Sequence, residues 1–299
     1  MTDRRNPTLG ERLFVALQYI LPQHRLSGIV FHLTRLRLGV LTGWLIRGFI
    51  RAFQVDMREA RQPDPAAYSS FNAFFTRALR EDARPLDQSP LAIVSPVDGV
   101  VSQLGNIASG RIFQAKGRDF GCADLLGGDA QLAARFDGGL FATLYLSPRD
   151  YHRIHMPIDG RLDCTIHVPG RLFSVNPTTA AAVPRLFARN ERVICVFETD
   201  LGPMALVLVG AIFVGSIETV WSGRITPPRG RRMLRTPAAE DMPPLARGTE
   251  LGRFNMGSTV ILLLPRACAR WEERLAPGVY VRCGASAART IGQTHELSP

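Results

Sequence analysis

The chain has 299 residues, 46% of them apolar and 21% charged. This is a globular composition that excludes a disordered, collagen-like or disulfide-scaffold protein. Its net charge is +10, and among 36 basic side chains Lys116 is the sole lysine. Lysine-anchored imine chemistry therefore has one candidate, while the arginine surplus suits an anionic partner: nucleic acid, a membrane surface or a phosphorylated substrate.

The five cysteines, Cys122, Cys164, Cys195, Cys268 and Cys283, are odd in number and none has CxxC spacing. The pattern predicts neither a zinc site nor a disulfide framework, and a reducing compartment. Residues 1–10 are polar and lack the pattern of a signal peptide. No run of about 18 uncharged apolar residues is present to form an ordinary transmembrane helix.

The first sixty-one residues carry ten arginines against Asp3, Glu11, Asp56 and Glu59. Leu13–Leu21 is a short apolar segment ended by Pro22. From Leu41 to Phe53 the helical period is plain: Leu41, Leu45, Phe49 and Phe53 recur at i+4, with Ile46 and Ile50 beside them. Arg47 and Arg51 fall opposite, with Trp44 near them, so the segment reads as an interfacial membrane helix or as a helix packed on its own domain.

Gln62-Pro63-Asp64-Pro65 is a break. Ser69–Arg80 predicts a helix with Phe71, Phe74, Phe75 and Leu79 on one side. After Pro85, short apolar segments alternate with Gly, Pro and Asp turns: Ala92–Val94, Val100–Leu104, Phe141–Leu146, Leu162–Val168, Arg192–Thr199, Met204–Thr219, Thr259–Leu264 and Val279–Cys283. These predict a β-rich domain, with Asp200-Leu201-Gly202-Pro203 as a hairpin turn. Thr226–Leu245, with Arg229, Arg231, Arg232 and Arg235, reads as an exposed loop. The fold class is therefore α+β: a helical N-terminal membrane-binding segment, residues 1–61, followed by a β-rich catalytic domain, residues 62–299.

Three segments could carry chemistry. Ser95-Pro96-Val97-Asp98-Gly99 places a carboxylate in a turn. Tyr151-His152-Arg153-Ile154-His155-Met156-Pro157 holds two of the six histidines, three residues apart; histidine serves as an acid or base near neutrality. In a strand such a pair would face opposite ways, so a shared site needs a bend. No third ligand is evident for a metal, and His24, His32, His167 and His295 lack comparable context. Asn255-Met256-Gly257-Ser258-Thr259 leads into an apolar strand and matches neither a nucleophile elbow nor a lysine-ended phosphate loop.

Together these segments resemble the phosphatidylserine decarboxylases, pyruvoyl-dependent enzymes that make phosphatidylethanolamine. The resemblance also takes in Val55-Asp56-Met57-Arg58-Glu59-Ala60, Phe71-Asn72-Ala73-Phe74-Phe75-Thr76-Arg77 and Phe113-Gln114-Ala115-Lys116-Gly117. Met256 stands where the family usually has Leu, a change that conserves volume. The basic N-terminal extension is similar to that of the longer, membrane-associated bacterial type.

The resemblance implies a carboxy-lyase that needs no metal and whose cofactor is a pyruvoyl group made from Ser258. In the implied self-cleavage, the Ser258 hydroxyl attacks the Gly257 carbonyl. This yields a long chain ending at Gly257 and a pyruvoyl-bearing chain of 42 residues. Substrate amine would condense with that group, giving an imine conjugated to a carbonyl that takes up the electrons left by CO2. By the same resemblance His155 is the base for Ser258, Asp98 orients it as in a Ser-His-Asp triad, and His152 is an acid/base group for decarboxylation.

The implied partners are phosphatidylserine and an anionic membrane surface met by Leu41, Trp44, Leu45, Arg47, Phe49, Arg51 and Phe53. The two chains would stay associated, a homodimer is compatible, and nucleic acid is not expected. The implied location is peripheral, on the cytoplasmic face of a bacterial inner membrane. Lys116 is either a contact to substrate phosphate or carboxylate, or a surface residue beside a Gly turn. The rival readings are a lipid serine hydrolase using Asp98, His155 and Ser258 on an external ester, and a membrane adaptor using the basic helix alone.

Overall fold

The computed structural model describes residues 8–213, 216–227 and 232–291. Arg229, Arg231 and His295 lie outside the described residues.

Three helices open the chain: α1 (Leu9–Ile20), α2 (Gln23–Leu33) and α3 (Val40–Phe53). Thr8 and Glu11 form a reciprocal cap on α1: the Thr8 amide donates to the Glu11 carboxylate at 2.7 Å and the Glu11 amide to Thr8 Oγ1 at 3.2 Å. The helices are inside out. Polar Gln18, Gln23, Ser27 and Thr42 are buried, while Leu9, Leu13, Ile20, Ile29, Leu33, Leu41, Trp44 and Leu45 are exposed. Thr42 accepts from Leu38 N at 3.1 Å, and the other three satisfy backbone amides of the body. Ser174 donates to Gln18 Oε1 and Leu172 to Gln23 Oε1, both at 2.9 Å, and Phe213 donates to Ser27 Oγ at 3.1 Å.

The predicted stripe of Leu41, Leu45, Phe49 and Phe53 is divided by packing. Successive i+4 steps drift around a helix of 3.6 residues per turn. Ile46 is therefore buried with Val55 and Phe74, with Phe49 and Ile50 packed against that cluster, while Leu41, Trp44 and Leu45 point away from the body. The Arg47 guanidinium lies 5.3 Å over the Trp44 ring. The helix predicted at Ser69–Arg80 is only one turn, α4 (Phe71–Phe75), capped by Ser70. It stops because the chain doubles back on residues 59–61, with Arg61 donating to Ala78 O and Arg80 to Glu59 O, both at 2.9 Å.

The strands in chain order are β1 (Ala92–Val94), β2 (Gly99–Asn106), β3 (Arg111–Ala115), β4 (Arg118–Gly121), β5 (Leu140–Tyr145) and β6 (Arg153–His155). They continue with β7 (Arg161–Val168), β8 (Arg192–Thr199), β9 (Gly202–Val209), β10 (Ser216–Thr219), β11 (Gly223–Thr226) and β12 (Leu234–Pro237). The last are β13 (Glu250–Asn255), β14 (Thr259–Leu264), β15 (Ala269–Trp271), β16 (Tyr280–Val281) and β17 (Ser286–Thr290). The N-terminal helices followed by antiparallel sheets make the fold mixed α+β.

An antiparallel sheet in the order β12-β7-β8-β9-β14-β5-β2-β16 carries two cores. Leu206, Leu208, Val260 and Leu262 belong to one, and Val207, Val209, Ile261 and Leu263 to the other. Strand alternation thus sends neighbours to opposite faces, and because both faces are covered these strands read as unbroken apolar runs. The β8–β9 hairpin turns where predicted, with Thr199 opposite Gly202.

The apolar run Met204–Thr219 is not one strand: β9 ends at Val209 and β10 joins a second sheet, β11-β10-β13-β6. Within the expected loop 226–245, β12 forms an edge strand on β7, and Arg235 pairs with Asp129 at 3.2 Å and Asp163 at 3.4 Å. All five cysteines are free and buried.

Candidate active site

β13 lies in the four-stranded sheet and β14 in the eight-stranded one. Residues Met256, Gly257 and Ser258 make the crossing. Met256 (φ +92°) and Gly257 (φ +47°) are both left-handed. For Met256 that backbone costs about 1–2 kcal/mol, held in place by the strands on either side. Leu146 N donates to Ser258 O at 2.8 Å and fixes the far end. The Ser258 hydroxyl is buried and has no hydrogen-bond partner.

His152 faces this crossing. Its Nδ1 lies 2.8 Å from Asp150 O, so Nδ1 carries the proton and Nε2 the lone pair. Nε2 is buried without a partner, 3.3 Å from where a Cβ on Gly257 would lie. Burial, and next the charge of Arg77, lower the His152 pKa to about 3. The Phe75 ring packs on the imidazole at 4.2 Å and comes within 3.9 Å of the same Gly257 position. Asn72, from the same short helix, donates to Asn255 Oδ1 at 2.9 Å and ties α4 to the end of β13.

His155 has other partners. Its Nδ1 donates to Gly248 O at 2.7 Å, and Nε2 meets the Tyr151 hydroxyl at 3.0 Å. Burial lowers its pKa, against the opposing effects of the Gly248 carbonyl and nearby carboxylates. Asp98 is fully buried. It accepts from Arg84 Nε at 2.8 and 3.0 Å and from Cys283 N at 2.8 Å. Arg84 also reaches Glu59 at 2.8 Å. Gly99 follows because β2 passes so close to β5 that a Cβ would lie 2.4 Å from Tyr145 O.

The structure thus gathers the three predicted segments into one neighbourhood but does not link them as a hydrogen-bonded triad. The Asp98 turn and His155 meet through the backbone, His155 N donating to Pro96 O at 2.8 Å. β6 begins at Arg153, and the two rings meet different partners. Lys116 is exposed at the tip of the β3–β4 hairpin, where its charge acts on Glu11 of α1.

Beside Asp98 lies a cavity of about 240 Å³ lined by Arg77, Arg84, Arg149, Asp150, Tyr151 and Tyr280, among others. Sequence reasoning gave these residues no role. Arg77 stood inside a quoted motif and Tyr151 beside His152, but Arg84 and Tyr280 carry no local signal.

A family model described as phosphatidylserine decarboxylase matches residues 71–289, and a second, described as PSD, matches residues 13–54. The chain belongs to the phosphatidylserine decarboxylase family. A phosphatidylserine decarboxylase proenzyme of Stutzerimonas stutzeri is 56% identical over 273 residues, which is 90% of this chain and 91% of the relative. Proteins of the same name from Azotobacter vinelandii and Bordetella pertussis are each 55% identical, over 95% and 93% of this chain and 99% and 94% of their own.

As a member of this family the protein is a carboxy-lyase that decarboxylates phosphatidylserine. The hydrolase reading finds no support among these relatives. Among the described residues no helix is long and apolar enough to cross a membrane.

Proposed function

We propose that this decarboxylase is a self-cleaving proenzyme cut between Gly257 and Ser258, and that Ser258 becomes the pyruvoyl group. The observation that carries the reading is a buried, unpartnered serine hydroxyl behind two left-handed residues, with an unpartnered histidine nitrogen against the scissile pair. The relatives' name, proenzyme, accords with it.

Ser258 Oγ attacks the Gly257 carbonyl carbon. The bond to the nitrogen of residue 258 breaks, that nitrogen takes a proton, and an ester forms. Loss of the Ser258 Cα proton then expels Gly257 as a carboxylate and leaves dehydroalanine; one water hydrolyses its imine form and releases ammonia. The conformation at Gly257 favours the attack, because a residue without Cβ leaves room for the approaching oxygen. The new carbonyl supplies a sink for the electrons left when CO2 departs.

A serine hydroxyl needs a base. The family resemblance assigns this to His155 backed by Asp98, which requires the His155 ring to release Gly248 O and Tyr151 Oη. His152 would then protonate the substrate Cα. Its Nε2, which burial keeps unprotonated, must first take up the proton that it delivers, and it lies beside residue 257. A second reading, His152 as the serine base, is favoured by its Nε2 already facing Gly257.

Access to substrate would come through the inverted helices. Leu41, Trp44 and Leu45 of α3, with Leu13 and Ile20 of α1, offer an apolar surface to a bilayer, and Arg47 and Arg51 add attraction for anionic headgroups. The protein is then peripheral, on the cytoplasmic face of a bacterial inner membrane. Intact mass under denaturing conditions tests the cleavage: two chains are expected, the shorter starting at a blocked residue 258. A single unmodified chain from an active preparation would remove the reading.

A further inference from the structure

The cavity beside Asp98 is lined by four arginines, Arg77, Arg84, Arg149 and Arg282, and four carboxylates, Asp56, Glu59, Asp98 and Asp150. The carboxylates are already matched. Arg84 binds Asp98 and Glu59, Arg282 lies 3.2 Å from Glu59, and Arg58 holds Asp56 at 2.8 Å. Asp150 accepts from Ser147 N and Oγ and from Tyr280 Oη, with Arg149 at 4.0 Å.

Arg77 is left over. It is 5% exposed and, among the described residues, has no carboxylate within ion-pair distance. One terminal nitrogen donates to Arg149 O at 3.0 Å, while Nε and the other terminal nitrogen are buried with no acceptor.

A buried guanidinium without a counter-ion is a costly charge to hold, and an anion brought by a ligand would offset that cost. Arg77 follows Phe75 by two residues, and the Phe75 ring touches both His152 and the Gly257 position. Arg77 also holds Arg149 O, and the carbonyl of the next residue, Asp150, accepts from His152 Nδ1, so an anion on Arg77 lies near the histidine that faces Gly257. Nε and the free terminal nitrogen lie on different edges of the guanidinium, so each offers a separate charged donor to an anion entering the cavity.

We propose that Arg77 receives the phosphodiester of the substrate headgroup. The proposal rests on the decarboxylase reading and adds the residue that anchors the lipid. A phosphodiester keeps its charge throughout the reaction, so holding it positions the headgroup without resisting the chemistry. The serine carboxylate loses its charge as CO2 leaves. An arginine bound to it would stabilise the ground state more than the transition state.

The test uses the full chain in detergent–phosphatidylserine mixed micelles, with glycerophosphoethanolamine and free ethanolamine as water-soluble competitors. Arg77→Gln should raise KM about ten- to a hundredfold, more than it lowers kcat. It should weaken inhibition by glycerophosphoethanolamine, which has the phosphate but no carboxylate, by a similar factor. Arg77→Lys should recover part of both. An unchanged KM overturns the proposal. So does a raised KM with unchanged glycerophosphoethanolamine inhibition, which would assign Arg77 to the carboxylate.

Should Arg77→Gln fail to fold, the unaltered protein decides. Glycerophosphoethanolamine must inhibit where the same concentration of ethanolamine does not, and equal inhibition overturns the proposal. An unaltered protein that releases no CO2 from phosphatidylserine removes the decarboxylase reading itself, before any variant is compared.

Discussion

His152 Nε2 stands 3.3 Å from the point that a side-chain carbon on Gly257 would occupy, with no hydrogen-bond partner of its own. A methyl group there would crowd the imidazole, with Phe75 at ordinary contact distance, and would sit on a backbone at φ +47°. Gly257→Ala should therefore hold the chain uncut, or slow its cutting by orders of magnitude, while costing only about 1–2 kcal/mol of stability. A denaturing gel over time and a thermal melt measure the two effects. Cutting at the normal rate would show that the close approach does not matter.

The histidines can be told apart. If His155 is the serine base, His155→Ala abolishes cleavage. Tyr151→Phe, which frees His155 Nε2 from its hydroxyl partner, leaves it intact or faster. His152→Ala should then cut and fail to decarboxylate. Loss of cutting in His152→Ala, with His155→Ala still processed, would transfer the base to His152.

The lowered pKa of His152 has a consequence for stability. The folded chain keeps the ring neutral down to about pH 3, while the unfolded chain takes a proton near the ordinary histidine value of 6.5. The unfolded state thus binds more protons between these values. The stabilisation is fully present above pH 6.5 and is lost as pH falls toward 3, at up to about 1.4 kcal/mol per pH unit. Urea midpoints from pH 7 to 4 should fall less steeply for His152→Gln than for the unaltered protein. Parallel slopes would contradict the assignment.

Cutting at Gly257 should not release the short chain. β14 is hydrogen-bonded to β9 on one side and β5 on the other, and β17 lies between β1 and β15. Both pieces should elute together in native buffer and separate only in denaturant. Spontaneous dissociation after cleavage would rule this out.

The N-terminal helices contain two kinds of apolar residue. Replacing Leu41, Trp44 and Leu45 with Ser should abolish sedimentation with anionic vesicles and leave the melting temperature within a few degrees. Phe49→Ser should instead destabilise the fold by about 3 kcal/mol, because its ring packs 5.1 Å from Phe71 and 5.9 Å from Phe74. Vesicle binding that survives the triple replacement would place the membrane contact elsewhere.

The sequence alone determined what depends on local pattern and motif identity. The period of residues 41–53, the apolar runs of the two-faced sheet and the hairpin at Asp200–Pro203 followed from alternation and turn chemistry, and the joint motifs carried the family. Local pattern could not say which side of α3 packs inward, because a helix apolar nearly all round takes its orientation from its neighbour, here Phe71 and Phe74 on α4. Nor could it say that Met204–Thr219 leaves one sheet after Val209 and enters another at Ser216, since both strands are apolar and no polar residue separates them.

The site divides in the same way. Asp98, His152, His155 and Ser258 were legible as motif residues. Only the tertiary structure decided that His152 faces Gly257, that Arg84 holds Asp98, and that Arg77 is buried with no counter-ion. Those relations join residues far apart in the chain, through strands whose pairing no local spacing records. The arginine surplus of the opening count likewise separated in three dimensions, into surface charge on the N-terminal helices and matched or unmatched charge around one cavity.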